Sequence, residues 1–156
     1  MPKVNYTNEK GLYQESGSGV DLTTGAGLNN RRAIVDGSGG NVNLSATDSG
    51  AIVVLSGGAR TVTLPTVAAA KAGFYVDIIS ASAHAHVVDI SGGANSLEGL
   101  MFDASNGSTV VVAPITNQQK ITLANPKIGD RISIFCDGTS YHTTALLNDT
   151  ATLATS

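Results

Sequence analysis

The chain has 156 residues, enough for one domain with a hydrophobic core, yet only 13% of them are charged, against roughly 25% in ordinary globular chains. Its net charge is −3, and its only adjacent basic pair is Arg31-Arg32, which we interpret as solvated loop charge. The chain therefore lacks the clustered Lys and Arg residues that phosphate binding needs. The N-terminus lacks the apolar core of a secretory signal, and no run approaches the roughly 18 apolar residues of a membrane span. We therefore predict no nucleic-acid partner and no membrane partner.

Residues 1–40 have no sustained hydrophobic period and are interrupted by two Gly-rich stretches, 17–19 and 25–27. Such a segment cannot bury a core of its own, so it is predicted to be an extended N-terminal arm and linker. Its scattered aromatic and aliphatic residues suit docking onto a partner surface: Val4, Tyr6, Leu12, Tyr13 and Val20. A frayed terminus with no role is the alternative interpretation.

Residues 41–147 are predicted to form a β-rich body, because strand signals recur about every 8 to 12 residues, the spacing of a sandwich or barrel. The clearest pair, residues 51–55 and 60–64, is separated by Gly57-Gly58 and predicted to be a hairpin with Val53 opposite Val62. This register places the apolar residues of both strands on one dry face, with Thr61 and Thr63 on the other.

The remaining elements follow in order along the body. Residues 67–71 suit one helical turn, residues 74–79 and 84–90 suit strands, and residues 97–102 suit either a loop or a short helix. Short strands are also predicted near 110–112 and 121–123. Asp137-Gly138 is the strongest hairpin turn signal, and its predicted register sets Ile134 opposite Tyr141. Residues 148–156 are predicted to be a polar C-terminal tail.

A weak internal repeat relates the two halves of the body. Residues 52–55, 62–64 and 73–79 recur in the same order as residues 109–112, 121–123 and 129–135. Two similar strand units fit an all-β fold, an antiparallel β-sandwich or barrel of jelly-roll type. Chance similarity between β-rich runs is the competing explanation.

The search for catalytic chemistry finds no complete site. His84 and His86 have the spacing of two metal ligands on one strand face, but the nearby Asp89 falls on the opposite face. The single cysteine, Cys136, is predicted to be a buried core residue, and no orienting acid or oxyanion hole accompanies it and His142. We therefore predict a protein that is not an enzyme and has no catalytic residues, metal or cofactor.

Several motifs of the body resemble a succession found in small bacteriophage tail-fibre, head-fibre and capsid-decoration domains. They are, in chain order, residues 61–65 (TVTLP), 73–79 (GFYVDII), 129–134 (GDRISI) and 137–141 (DGTSY), with Tyr141 in place of the usual Trp. The N-terminal residues 2–6 (PKVNY) and 10–14 (KGLYQ) are similar to the arm of capsid-decoration, or cement, proteins.

This resemblance implies a structural virion protein that binds the outside of a phage head as a homotrimer and stabilises the capsid lattice. Its partner would be the major capsid protein, contacted through the N-terminal arm, and its location the outer capsid surface after synthesis in the host cytoplasm. The alternative is a fibre or receptor-binding module that recognises a glycan or protein of the host surface. Few aromatic residues are available for sugar stacking, since the chain has four Tyr, three Phe and no Trp.

Overall fold

The computed structural model describes residues 4–7, 11–14, 32–92, 96–104, 110–148 and 151–154. The chain divides into two compact units, residues 1–31 and 32–156. The boundary predicted near residue 40 is thus wrong, because residues 34–36 already form a strand of the larger unit. In the described part of the chain, no helix is both long and apolar enough to cross a membrane.

The first unit contains an antiparallel pair of strands, β1 (Val4–Thr7) and β2 (Gly11–Gln14). Their register sets Tyr6 opposite Leu12. The predicted extended arm therefore includes a hairpin. Of the predicted docking residues, Val4, Tyr6, Leu12 and Tyr13 belong to these strands, whereas Val20 lies outside the described residues.

The described strands of the second unit form two sheets. The seven-stranded sheet has the order β10 (Val111–Gln118), β9 (Leu97–Asp103), β13 (Tyr141–Leu147), β12 (Arg131–Cys136), β7 (Tyr75–Ser80), β5 (Ile52–Leu55) and β3 (Ile34–Asp36). The five-stranded sheet has the order β14 (Ala151–Ala154), β11 (Lys120–Leu123), β8 (His86–Ile90), β6 (Arg60–Leu64) and β4 (Val42–Asn43). A 3₁₀ turn (Ala46–Asp48) and α1 (Val67–Ala70) complete the unit.

The all-β prediction agrees with this mostly β architecture, but both sheets are mixed rather than purely antiparallel. Strands β3, β5 and β7 run parallel to one another, as do β4, β6 and β8. Through these six strands the chain passes three times from the larger sheet to the smaller one, and each of these passages stacks beside the previous one. A jelly roll is built from antiparallel strands, so these parallel pairs do not support that finer assignment.

The predicted hairpin at Gly57-Gly58 is wrong, because β5 and β6 belong to different sheets. The predicted faces are nevertheless right, since Val53 and Val62 are both fully buried. The alternation of apolar and polar residues indicates which side chains are buried, but it does not indicate which strands pair with each other. Here the two dry faces meet across the core. The Gly57-Gly58 turn is held against the connection between β3 and β4, because Arg60 donates to the carbonyl oxygens of Gly37 (2.8 Å) and Ser38 (2.5 Å).

The second predicted hairpin, β12–β13, is present, with a register two residues from the one expected. Cys136, not Ile134, lies opposite Tyr141. The cause is the Asp137 carboxylate, which accepts hydrogen bonds from the backbone N–H groups of Thr139 and Ser140, each at 2.7 Å. These bonds close a four-residue loop instead of a two-residue turn.

Three other predictions have clear outcomes. The helical turn near residues 67–71 is confirmed as α1. Residues 97–102, expected to be a loop or short helix, belong to strand β9. The predicted polar tail contains β14, which pairs antiparallel with β11.

One hydrophobic core joins the two sheets, and Tyr141 is its largest fully buried side chain. The Tyr141 hydroxyl donates to the Pro65 carbonyl oxygen at 2.8 Å, and its ring meets Phe74 edge-on with centroids 6.2 Å apart. Burial raises the pKa of Tyr141 above its ordinary value. Cys136 is also fully buried, as predicted from its apolar character.

Gly99 fixes the parallel contact between β9 and β13. Its φ of +143° is unfavourable for other residues, and a Cβ there would overlap the Thr143 backbone carbonyl. We expect Gly99→Ala to lower the free energy of unfolding by about 3 kcal/mol or more, through strain and overpacking. Urea unfolding measures the change. Gly40→Ala is the matched control, because a Cβ at Gly40 meets nothing within 4 Å. Equal stability of the two variants would contradict this role for Gly99.

Candidate functional site

The seven-stranded sheet has one face toward the core and one toward solvent, which we call the outer face. Of the nine exposed large hydrophobic residues in the described part of the chain, six are on strands of this sheet and point outward: Ile34, Tyr75, Leu100, Val112, Phe135 and Leu146. The solvent side of the five-stranded sheet is mostly polar, with Asn43, Thr61, Thr63 and Thr122 around the half-buried Val87. Apolar surface concentrated in one area marks an interaction site.

A buried carboxylate, Asp77, lies at the centre of the outer face. Arg32 and Arg131 both form ion pairs with it, the latter at 2.8 Å, and the Ser133 hydroxyl donates to it at 2.5 Å. Burial opposes the charged form of Asp77. The hydrogen bonds from Arg32, Ser133 and Arg131 outweigh that effect and lower its pKa to about 2. Asp77 is therefore a stable anion whose charge is neutralised locally.

Arg32 connects this ion cluster to the neighbouring strand and to an aromatic ring. Its guanidinium donates to the carbonyl oxygens of Gly50 (2.6 Å) and Ala51 (2.8 Å), just before β5. The same group lies 5.4 Å from the centroid of the Tyr75 ring, within the range of a cation–π contact. Arg32 thus has a fixed position, and it is not the solvated loop charge that we predicted.

An open cleft of about 480 Å³ lies at one end of the outer face. We call it the aromatic cleft and define it by Tyr75, Phe135 and His142, which stand side by side on β7, β12 and β13. The Phe135 and His142 rings stack at an interplanar angle of 29°, with centroids 6.3 Å apart. Leu100 and Thr144 complete its walls.

The hairpin loop fixes the rim of the aromatic cleft. Nε2 of His142 lies 2.8 Å from a carboxylate oxygen of Asp137. The hydrogen bond from His142, with those from the Ser140 and Thr139 backbone, lowers the pKa of Asp137 to about 2. The loop that begins at Asp137 accounts for the two-residue difference in the register of β12 and β13. It therefore also positions the Asp137–His142 pair beside the exposed rings.

A second depression, of about 380 Å³, lies toward the other end of the outer face. Four apolar residues line it or adjoin it, and we call them the apolar patch: Phe102, Val110, Val112 and Leu146. Val112 and Leu146 are about half exposed, at 53% and 52%. The patch extends to the edge strand β10. Pro114 lacks an N–H group there, and the register is irregular between Ile115 and Gln118.

The residues considered for metal or thiol chemistry are not brought together. His84 is exposed in the loop before β8, whereas His86 is buried in that strand, so the predicted pair on one strand face is wrong. Burial, with the nearby His84 and Arg60, lowers the pKa of His86. Among the residues that the structure describes, no group of three or more His, Cys, Asp or Glu could hold a metal ion. Cys136 is buried, while His142 is exposed.

The sequence analysis missed the main residues of the outer face. Tyr75 and Phe135 are 47% and 46% exposed, so aromatic rings are available at the surface after all. A signal for Phe135 was present, because it alternates with the buried Ile134 and Cys136. The role of Asp77 had no comparable signal, since its partners Arg32 and Arg131 are distant in the sequence.

No protein-family model, curated protein or solved structure matches this chain.

Asp77 predicts a specific acid sensitivity. Its folded pKa of about 2 lies below the ordinary value of 3.8, so its stabilising effect is complete above about pH 5 and disappears as the pH falls toward 2. This effect amounts to about 2 kcal/mol. We expect Asp77→Asn to be less stable at neutral pH by at least that amount, because two arginines lose their partner. We also expect it to lack this acid-induced step.

Urea unfolding at a series of pH values measures both effects. Asp36→Asn is the control, since Asp36 is exposed and its pKa is lowered mainly by the Ser38 backbone N–H. If Asp77→Asn retained the wild-type pH dependence, the acid sensitivity would belong to other carboxylates.

Proposed function

We propose that this chain is a structural virion protein, a bacteriophage capsid-decoration protein that binds the outside of the head as a homotrimer and stabilises the capsid lattice. The observation that carries the proposal is the apolar patch. Large apolar side chains that remain half exposed in one chain become buried when subunits associate, and permanent interfaces are more apolar than the rest of a protein surface.

The charges of the outer face favour a second copy of this chain as the partner. A face with charges of one sign repels its own copy, whereas the ion cluster beside the apolar patch carries both signs, Asp77 with Arg32 and Arg131. Two copies can therefore approach in an orientation that places opposite charges together. Pro114 and the irregular register of β10 obstruct strand addition at that edge. Association through the face is the favoured route.

The capsid contact in this proposal is made by the N-terminal arm, with Val4, Tyr6, Leu12, Tyr13 and Val20 as its docking residues. Three arms on one trimer engage neighbouring sites together, which raises avidity without any further contact. A protein that binds only the assembled lattice stabilises it by mass action. The low charge of the chain suits binding by packing rather than by electrostatic steering.

The homotrimer is tested by measuring the native mass with light scattering after size exclusion. We expect a mass near three times the 15.8 kDa of one chain. Leu146→Asp should reduce it to that of one chain, because the new carboxylate would be buried without a partner in the interface. Asn43→Asp adds the same charge on the other sheet and should leave the trimer intact. A wild-type monomer, or a Leu146→Asp variant that stays trimeric, would contradict the proposed interface.

The arm is tested by cosedimentation of the full chain with phage heads stripped of their decoration protein. We expect Tyr6→Ala combined with Tyr13→Ala to weaken head binding by about a hundredfold or more, because each loss is repeated in three arms. Thr7→Ala is the control on the same strand. Undiminished binding by the double variant would remove these residues from the capsid contact.

A further inference from the structure

We propose that the aromatic cleft is a binding site for a neutral saccharide. This inference does not depend on the proposed role in the capsid. It rests on Tyr75, Phe135 and His142, which form a row of rings across three adjacent strands of the outer face. The alternative occupants, a charged saccharide and an apolar peptide segment, are outcomes of the experiment below.

The exposed rings match the amphipathic character of a sugar. A pyranose ring has a face of C–H groups, which stacks on an aromatic ring, and an edge of hydroxyl groups. Tyr75 and Phe135 are each nearly half exposed. Adjacent strands are roughly 4.8 Å apart, so a row across three strands is about 10 Å long. Two linked pyranose rings have about that length.

Polar groups at hydrogen-bonding positions lie beside the rings. Asp137 lies on the rim, 2.8 Å from Nε2 of His142, and its ionised carboxylate is an acceptor for hydrogen bonds from sugar hydroxyls. Thr144 is exposed in the cleft and lies opposite Ser133 in the register of β12 and β13. A few polar groups around an apolar floor are typical of small-molecule sites.

The cleft is held in place before any ligand binds. Arg32 contacts one side of Tyr75 and is itself held by Gly50, Ala51 and Asp77. His142 stacks on Phe135 and is held by Asp137. Side chains that are already ordered lose little conformational freedom on binding, which favours a weakly interacting ligand such as a sugar.

The charge balance favours a neutral ligand over an ionic one. Arg32 and Arg131 both bind Asp77, the carboxylate beneath the cleft, and their two positive charges are offset by Asp77 together with the rim carboxylate Asp137. Among the described residues that line the cleft, none is Lys or Arg, and His142 is already paired with Asp137. A saccharide with a carboxylate or sulfate would therefore find no lysine or arginine among the described lining residues to pair with, and it would lie close to the carboxylates of Asp77 and Asp137.

The cleft and the apolar patch are separate parts of the outer face. Phe135 in the cleft is four residues along β12 from Arg131, which lies opposite Leu146 of the patch. Four residues of a strand span about 13 Å. The rings are thus distant from the patch along β12, although the cleft walls Leu100 and Thr144 are two residues from Phe102 and Leu146. Subunits that meet only at the patch leave the three rings accessible to a ligand.

Saturation-transfer NMR tests the proposal on the full chain, with maltose, cellobiose and lactose as neutral probes. Sialyllactose and an uncharged apolar heptapeptide serve as comparison probes. We expect transfer to at least one neutral disaccharide, and chemical-shift changes of backbone amides that centre on Tyr75, Phe135 and His142. Phe135→Ala should weaken the affinity by about tenfold, whereas Phe135→Tyr, which keeps the ring, should retain it.

Leu146→Asp should bind the same disaccharide as the wild type whatever its own native mass, which separates this test from that of the trimer. Thermal unfolding of each variant confirms that it is folded. The proposal is overturned if no neutral disaccharide shows transfer, if Phe135→Ala binds as well as the wild type, or if sialyllactose or the peptide binds more tightly than every neutral disaccharide.

Discussion

The Asp77 carboxylate is the interaction on which the rest of the outer face depends. Because it is buried in the middle of a sheet surface, it needs opposite charges, and it obtains them from Arg32 and Arg131, at widely separated positions in the chain. Arg32 also donates to two backbone carbonyls before β5 and lies against Tyr75. One carboxylate thus joins the start of the larger unit, β5, β7 and β12. It also leaves no unpaired carboxylate at the centre of the face.

The outer face also has two regions of different chemistry. On one side the aromatic cleft combines exposed rings with a polar rim, where a ligand can make both apolar contacts and hydrogen bonds. On the other side the apolar patch offers mainly aliphatic and aromatic side chains, and it extends to an edge strand. A surface of the first kind suits a small polar molecule, whereas one of the second kind suits another protein surface.

The sequence carried the local features of this fold better than its long-range ones. Alternation identified the buried side chains around Gly57-Gly58 and a strand within residues 131–136, because a period of two depends only on neighbours. Alternation could not distinguish a hairpin from a connection between the two sheets, since both arrangements place the same side chains in the core. The two-residue error at Asp137 arose from side-chain hydrogen bonds that close a larger loop. The partners of Asp77 lie 45 and 54 residues away, beyond any local pattern.

The edges of the seven-stranded sheet explain why its face, rather than its strands, is the surface available for function. At one edge β3 has only three residues, and at the other β10 contains Pro114 and an irregular register. Both features hinder the addition of a further strand, which is how soluble β-proteins avoid uncontrolled growth of their sheets. A chain with so few charges has little electrostatic protection against association, so these features carry that task. Association is then directed to the outer face, where side-chain packing limits which partners fit.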